Sequence, residues 1–333
     1  MSEQISEFAT TCPHEALQLL RCCTGACRVE YLVQTASPSE QLSELLESTS
    51  SLLRLTFERL LGSSLPPSAW AHATLPSRMG GFGLQDPCAI RESGRLAALV
   101  KAEELALELG ADADFYAQAL QEASTRFLRR VGASHQLLPK LSASTPNLQK
   151  QLTDILHAQR FERLFAAADN FGQVRLSSLA IPHAVAWTLG PAPWVELSPA
   201  VFRAGLRWIL GLPLRPSSYR CPSCHCAADA GGQHAVVCLR SGAIGRGHTL
   251  LRDTLYDICA FAGVEVDKEQ YLPLHPELRP ADLLVRNWQP GGDLALDTTV
   301  VSPTLRSDPV RISEQGCASR LDAASEAKDR RSL

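Results

Sequence analysis

Apolar residues recur at helical spacing through the first two thirds of this 333-residue chain. One such pattern runs over residues 39–61 and ends at Gly62, a residue type that commonly terminates helices. Stretches containing proline or glycine at 136–147 and 181–198 interrupt the helical pattern, and Ser198 followed by Pro199 has the residue types of a helix start. The predicted helices span 39–61, 91–109, 114–131, 148–168 and 199–211.

The pattern changes in the last third of the chain. A helical period covers 245–262, and short runs of β-forming residues follow at 264–269, 281–285 and 293–301, with a turn at 290–292. A final helix is predicted at 313–331. The chain is therefore predicted to be α+β, with a helical bundle followed by a small unit of mixed helices and strands.

Composition narrows the class of protein. A hydrophobic content of 45% excludes general disorder, and neither a run of eighteen apolar residues nor a signal peptide is present. Eleven cysteines without a secretory signal favour free thiols and a metal over disulfides. We therefore expect a soluble, intracellular protein that does not bind membranes. The net charge of −3 gives no support for strong binding to a polyanion.

A cysteine and histidine pattern predicts a zinc site. Two residues separate Cys221 from Cys224, nine separate Cys224 from His234, and three separate His234 from Cys238. Thiolate and imidazole ligands suit tetrahedral Zn²⁺, and the glycines that precede the histidine allow the loop to fold back. Cys226 is a competing ligand, and ordinary buried thiols are the alternative interpretation.

Two aspartates predict a second metal site. Asp282 follows Arg279-Pro-Ala, and Asp297 comes fifteen positions later within a run of β-formers. A hairpin would bring the two carboxylates together, and Mg²⁺ or Mn²⁺ binds such oxygen ligands together with substrate phosphate. The alternative is that both are polar residues at strand edges. Glu265 and Glu269 are candidates for a third carboxylate.

Basic residues mark the helix predicted between these two motifs. His248 and Arg252 are four residues apart and share a helix face, and Arg246 lies just before them. Taken alone, this pattern is more typical of a solvated helix face than of a binding site.

In this order, the motifs resemble the C-terminal part of non-LTR retrotransposon proteins that carry a restriction-like endonuclease. The resemblance covers about residues 200–333. The family's Arg-His-Asn or Arg-His-Asp matches Gly247-His248-Thr249 here, with Arg246 displaced by one position, and its Pro-Asp becomes Pro280-Ala281-Asp282. The second acid of the wider superfamily is followed after two residues by Lys, whereas this chain has Thr299.

A second resemblance covers the N-terminal third. The run Leu75-Pro76-Ser-Arg-Met-Gly80-Gly81-Phe-Gly83-Leu84 resembles the thumb side of the reverse transcriptase in the same retroelement proteins. The Asp-Asp metal signature of the polymerase does not occur in the chain. The resemblance therefore implies a fragment that lacks the reverse transcriptase active site.

The resemblance implies a thumb-like region at 1–180, a helix with a zinc knuckle at 198–240, and a restriction-endonuclease-like domain at 241–333. It implies a structural Zn²⁺, a nuclear location, and hydrolysis of DNA phosphodiester bonds with Mg²⁺ or Mn²⁺. RNA is a second candidate partner. The alternative is a non-catalytic retroelement remnant that binds nucleic acid or protein. The implied catalytic residues are Asp282, Asp297 and Lys328, and the implied nucleic-acid contacts are Arg246, His248, Arg252 and Arg279.

Overall fold

The computed structural model describes residues 8–24, 26–132, 141–188, 197–269 and 281–298. The chain divides into two compact units, the first ending at Leu212 and the second beginning at Pro213. The first unit is helical, and the second contains helices and antiparallel strands, so the predicted α+β class is confirmed. None of the helices in the described ranges combines the length and apolar character that crossing a bilayer requires.

Helices of the first unit begin and end at residues with recognisable capping chemistry. The Ser39 hydroxyl accepts the Leu42 N–H at 3.1 Å, and Gly62 takes the left-handed conformation at the other end. The helix predicted at 91–109 begins earlier, at Pro87, because Asp86 caps it. The helices are α1 (Pro13–Cys23), α2 (Ala26–Thr35), α3 (Glu40–Leu61), α4 (Pro67–Ala73), α5 (Pro87–Glu108), α6 (Ala113–Val131), α7 (Leu148–Ala167), α8 (Asn170–Leu179) and α9 (Pro199–Ile209).

Among the described residues, three clusters of buried apolar side chains lie in the first unit. The first contains residues of α1, α3 and α9, the second is formed by α5, α6 and α7, and a small third cluster joins α2 to the start of α3. Helix α9 was grouped with the cysteine motif in the division predicted from sequence, but Phe202 and Leu206 are fully buried in the first core. Arg203 also donates to the backbone carbonyls of Leu60 and Ala9, at 2.9 and 2.8 Å. Helix α9 is therefore part of the first unit.

The glycine-rich run at 75–84 is a tight turn packed against its neighbours. The Gly83 amide donates to the Leu75 carbonyl at 2.8 Å, and a Cβ atom on Gly81 would lie 2.1 Å from that same carbonyl oxygen. A Cβ on Gly80 would lie 2.5 Å from Cβ of Leu179. Glycine is therefore needed at these two positions, because neighbouring atoms lie too close to leave room for a side chain.

Within the part of the chain that the structure describes, the second unit contains a small hairpin, two α-helices and an antiparallel sheet of three strands that pair in chain order. In this sheet Val266 pairs with Val285, and Leu283 pairs with Leu296. The predicted helix and strands of this region overlap the observed elements, although the strand predicted at 281–285 continues to Gln289 and the strand predicted at 293–301 ends at Leu296. The helix predicted at 313–331 lies outside the described residues. The elements are β1 (Tyr219–Arg220), β2 (Ala227–Ala228), α10 (Gln233–Val237), α11 (Ala243–Phe261), β3 (Val266–Lys268), β4 (Leu283–Gln289) and β5 (Gly292–Leu296).

Candidate metal centre and carboxylate pair

The four predicted zinc ligands come together in the second unit. Their ligand atoms all lie within 4.8 Å of one another, with 3.8 Å between Sγ of Cys221 and Sγ of Cys238, and 3.2 Å between Sγ of Cys224 and Nε2 of His234. Tetrahedral Zn²⁺ with bonds of about 2.0–2.3 Å holds its ligand atoms about 3.3–3.8 Å apart, and the distances of 3.8 and 3.2 Å lie in or next to that range. The Cys-Cys-His-Cys group is therefore consistent with a zinc site.

Local backbone structure positions these ligands. Cys221 and Cys224 lie in the turn between β1 and β2, where the Cys221 amide donates to the Cys226 carbonyl at 2.9 Å. His234 lies in the short helix α10, and Cys238 follows the end of that helix. Cys226 is exposed and its thiol lies 3.6 Å from the Cys224 carbonyl oxygen, so it stands apart from the four ligands.

Asp229 fixes the helix that carries the histidine. One carboxylate oxygen accepts the His234 N–H at 2.8 Å, and the other accepts the Gln233 N–H at 2.9 Å. The aspartate thereby satisfies two amides that a helix start leaves without partners. The sequence did not indicate this residue, because its contribution becomes visible only once the start of α10 is known.

Hydrogen bonding also favours the thiolate form that zinc binds. The Cys224 amide is the largest contribution that lowers the pKa of Cys221 to about 6, and the Ser223 amide and the His234 side chain act in the same direction against desolvation. Thiolates are the metal-binding form of cysteine.

Asp282 and Asp297 are brought together at one end of the β4–β5 hairpin. Asp282 precedes β4 and Asp297 follows β5, and the adjacent residues Leu283 and Leu296 are register partners. The two carboxyl groups are near enough for Asp297 to lower the pKa of Asp282 through a hydrogen bond. The predicted hairpin therefore juxtaposes the two acids, as the sequence indicated.

Three donors converge on a single oxygen of Asp282. The Thr298 amide and the Thr298 hydroxyl both donate to Oδ2 at 2.6 Å, and Nε2 of His248 lies 3.0 Å from the same atom. The Thr298 hydroxyl also lies 3.1 Å from Nε2 of His248. These contacts fix the orientation of the carboxylate. Thr298 was not predicted, because a threonine next to an acid carries no distinctive sequence signal.

The ionised form of Asp282 is strongly favoured. Partial burial acts to raise the pKa of Asp282, but the hydrogen bonds from Thr298, the hydrogen bond with Asp297 and the charge of His248 lower it to about 2. A carboxylate held in this form at neutral pH is available to bind a cation.

The other predicted residues have different surroundings. His248 contacts Asp282, whereas the sequence suggested that it faces phosphate. Arg252 pairs with Asp253 at 2.9 Å and with Glu269, and Arg246 is exposed near the start of α11. Arg279, Lys328 and Thr299 lie outside the described residues.

The two candidate third carboxylates are placed differently from one another. Glu269 pairs with Arg252, and its backbone amide donates to the Asp282 carbonyl at 2.9 Å. The carbonyl of Glu265 accepts the Arg286 amide, also at 2.9 Å. Glu269 is therefore the glutamate that the backbone holds next to Asp282.

No protein-family model matches the chain, and no curated protein matches it either. The retroelement resemblance therefore rests on the motifs in the sequence and stays a prediction.

Proposed function

We propose that the second unit is a zinc-stabilised domain that binds DNA and hydrolyses a phosphodiester bond at Asp282 and Asp297, with Mg²⁺ or Mn²⁺ as cofactor. The observation that carries the proposal is the contact between these two carboxyl groups at the end of one hairpin. Two acids in contact repel one another when both are ionised, and a divalent cation removes that repulsion. The retroelement origin of the domain forms part of the same proposal.

The donor set fits a hard divalent cation. Both side chains offer carboxylate oxygens, which Mg²⁺ and Mn²⁺ prefer, and no softer thiolate is needed. When bound, such a cation polarises a phosphate and lowers the pKa of an attacking water molecule. Thr298 and His248 hold Oδ2 of Asp282, so the carboxylate is oriented before DNA arrives. Exposed Arg246 is suited to a salt-dependent contact with the phosphate backbone.

The zinc centre has a structural role in this proposal. Its four protein ligands complete a tetrahedral set, whereas catalytic zinc sites usually keep one position for water or substrate. The centre supplies a buried anchor in a segment with few other apolar residues, since Cys221 and Cys238 are themselves part of its small core.

A second candidate function is a non-catalytic module that binds nucleic acid or protein. Thr299 stands where the wider nuclease superfamily has a catalytic lysine, and the chain has a net charge of −3. Both features favour retention of the fold without cleavage. This candidate predicts zinc binding and DNA binding without nicking.

A plasmid-nicking assay separates the two candidates. Zinc-loaded protein is incubated with supercoiled DNA in Mg²⁺ or Mn²⁺, and the Asp282→Ala and Asp297→Ala variants are compared with Asp257→Ala, which removes an exposed acid of the same unit. We expect nicking by the wild type and by Asp257→Ala, and none by the other two variants. Nicking that survives both substitutions would exclude the proposed site, and DNA binding without any nicking would favour the second candidate.

A further inference from the structure

The first unit contains a polar cavity of about 530 Å³. Its walls come from the turn that follows α4, from α2 and α5, and from α7 with the residue before it. The volume lies within the range of small-molecule sites in proteins. This cavity belongs to a different unit from the proposed nuclease site, so the inference below does not rest on the proposed function.

Arg160, on α7, is a partly buried cation that lines this cavity and has no carboxylate partner among the described residues. Its Nη2 donates to the Thr74 hydroxyl at 2.5 Å, and none of the ion pairs among the described residues includes it. Burial lowers the pKa of Arg160, and the nearby charge of Asp86 offsets this only in part. A guanidinium removed from water without a paired anion is unfavourable unless a ligand supplies that anion.

His157 lies one turn before Arg160 on the same helix, and in the described part of the chain one of its ring nitrogens lacks a hydrogen-bond partner. Its Nδ1 atom is buried and has no hydrogen-bond partner among the described residues. Burial, Arg160 and Arg78 lower the pKa of His157 to about 4, so the ring is neutral at physiological pH. In the tautomer with hydrogen on Nδ1, a neutral imidazole can donate to an oxygen ligand. Buried polar atoms without partners are rare in native proteins, and this one belongs to a residue that lines the cavity.

The acids of the cavity already have local partners. Asp154 accepts from Arg78 at 2.7 Å, Asp86 accepts the Cys88 amide at 3.0 Å, and Glu30 accepts from Gln149 at 3.2 Å. Four cationic side chains against three acids give the lining a net charge of +1 with His157 neutral. The cationic side chains are Arg78, Lys101, Lys150 and Arg160, and the acids are Glu30, Asp86 and Asp154.

We propose that this cavity binds a phosphate group through the Arg160 guanidinium and the His157 imidazole, with Lys150 at its exposed rim. Arginine is suited to the geometry of a phosphate, which accepts several hydrogen bonds at once. The phosphate belongs either to a nucleic-acid strand or to a free nucleotide, because the same groups recognise both.

The test uses the full, zinc-loaded chain without added divalent cation, so that no cleavage of the kind proposed above intervenes. Inorganic phosphate, a mononucleotide and a short fluorescent single-stranded oligonucleotide are titrated separately. Arg160→Gln and Lys150→Gln are compared with Arg129→Gln, which removes an exposed cation outside the cavity. Thermal unfolding monitors the fold of each variant.

We expect binding of at least one probe, weakened about tenfold or more by Arg160→Gln and less by Lys150→Gln, with no change for Arg129→Gln. Binding of the oligonucleotide alone identifies a strand as the source of the phosphate, and equal binding of the mononucleotide identifies a free nucleotide. If Arg160→Gln unfolds, Lys150→Gln decides. The absence of binding by every probe, or equal weakening by all three variants, would refute phosphate binding in this cavity.

Discussion

Replacing Asp229 with alanine tests how the zinc centre is built without touching a zinc ligand. The substitution removes both carboxylate oxygens that accept the Gln233 and His234 amides at 2.9 and 2.8 Å. Helix α10 is only five residues long and is too short to form without such support. Asp229→Ala should therefore release His234 from its position beside the cysteines.

The expected magnitude follows from helix capping. Loss of a capping side chain costs about 0.5–2 kcal/mol. Because metal binding is coupled to local folding, a cost of about 1–2 kcal/mol appears as a zinc affinity roughly 5- to 30-fold weaker. Asp229→Asn keeps one acceptor oxygen and should cause a smaller loss.

Competition with a chromophoric zinc chelator measures this affinity for each variant. The matched control is Asp112→Ala, which removes a similar cap in the first unit, where Asp112 accepts the Phe115 amide at 2.9 Å. The control should lower thermal stability and leave zinc affinity unchanged. Unchanged zinc affinity in Asp229→Ala would refute the reasoning, because His234 would then be held by something other than this cap.

Three further predictions concern single residues. Gly81→Ala should lower the free energy of unfolding by about 1–3 kcal/mol in urea titrations, because its new Cβ would lie 2.1 Å from the Leu75 carbonyl oxygen. Burial lowers the pKa of His72 to about 3, so the unfolded chain binds more protons below pH 6.5. The free energy of unfolding of the wild type should therefore fall by up to about 1.4 kcal/mol per pH unit between pH 6 and 4. His72→Gln should abolish this contribution to the pH dependence. Thr298→Val should weaken Mn²⁺ binding at Asp282, and Thr298→Ser should restore it.

Each of these predictions has its own contradicting result. The first prediction would be contradicted if Gly81→Ala had no lower free energy of unfolding than Gly245→Ala, where a new Cβ meets nothing within 4 Å. Parallel pH profiles of wild type and His72→Gln would show that this histidine does not contribute to acid sensitivity. Equal Mn²⁺ affinities in the valine and serine variants would show that the Thr298 hydroxyl does not position Asp282.

Local signals in the sequence predicted much of the fold. Ser39 and Gly62 mark a helix through chemistry that acts within four residues, and the metal ligands Cys221 and Cys224 lie within one turn. The hairpin that joins Asp282 to Asp297 was also visible, because strand period and turn residues are local.

Contacts between distant residues were beyond this reasoning. The placement of α9 depends on Phe202 packing in a core with residues near the start of the chain. The Thr298 contact joins residues sixteen positions apart, and the contact between His248 and Asp282 spans thirty-four. The Arg160 cavity likewise combines segments that no sequence pattern links.

Titration of the zinc-loaded chain with Mn²⁺ tests most directly whether the carboxylate pair is a divalent-cation site. Wild type should bind one Mn²⁺ ion, with zinc content unchanged throughout the titration. Asp282→Ala should retain its zinc at the Cys-Cys-His-Cys group and lose the Mn²⁺. Equal Mn²⁺ binding by wild type and Asp282→Ala would contradict the account.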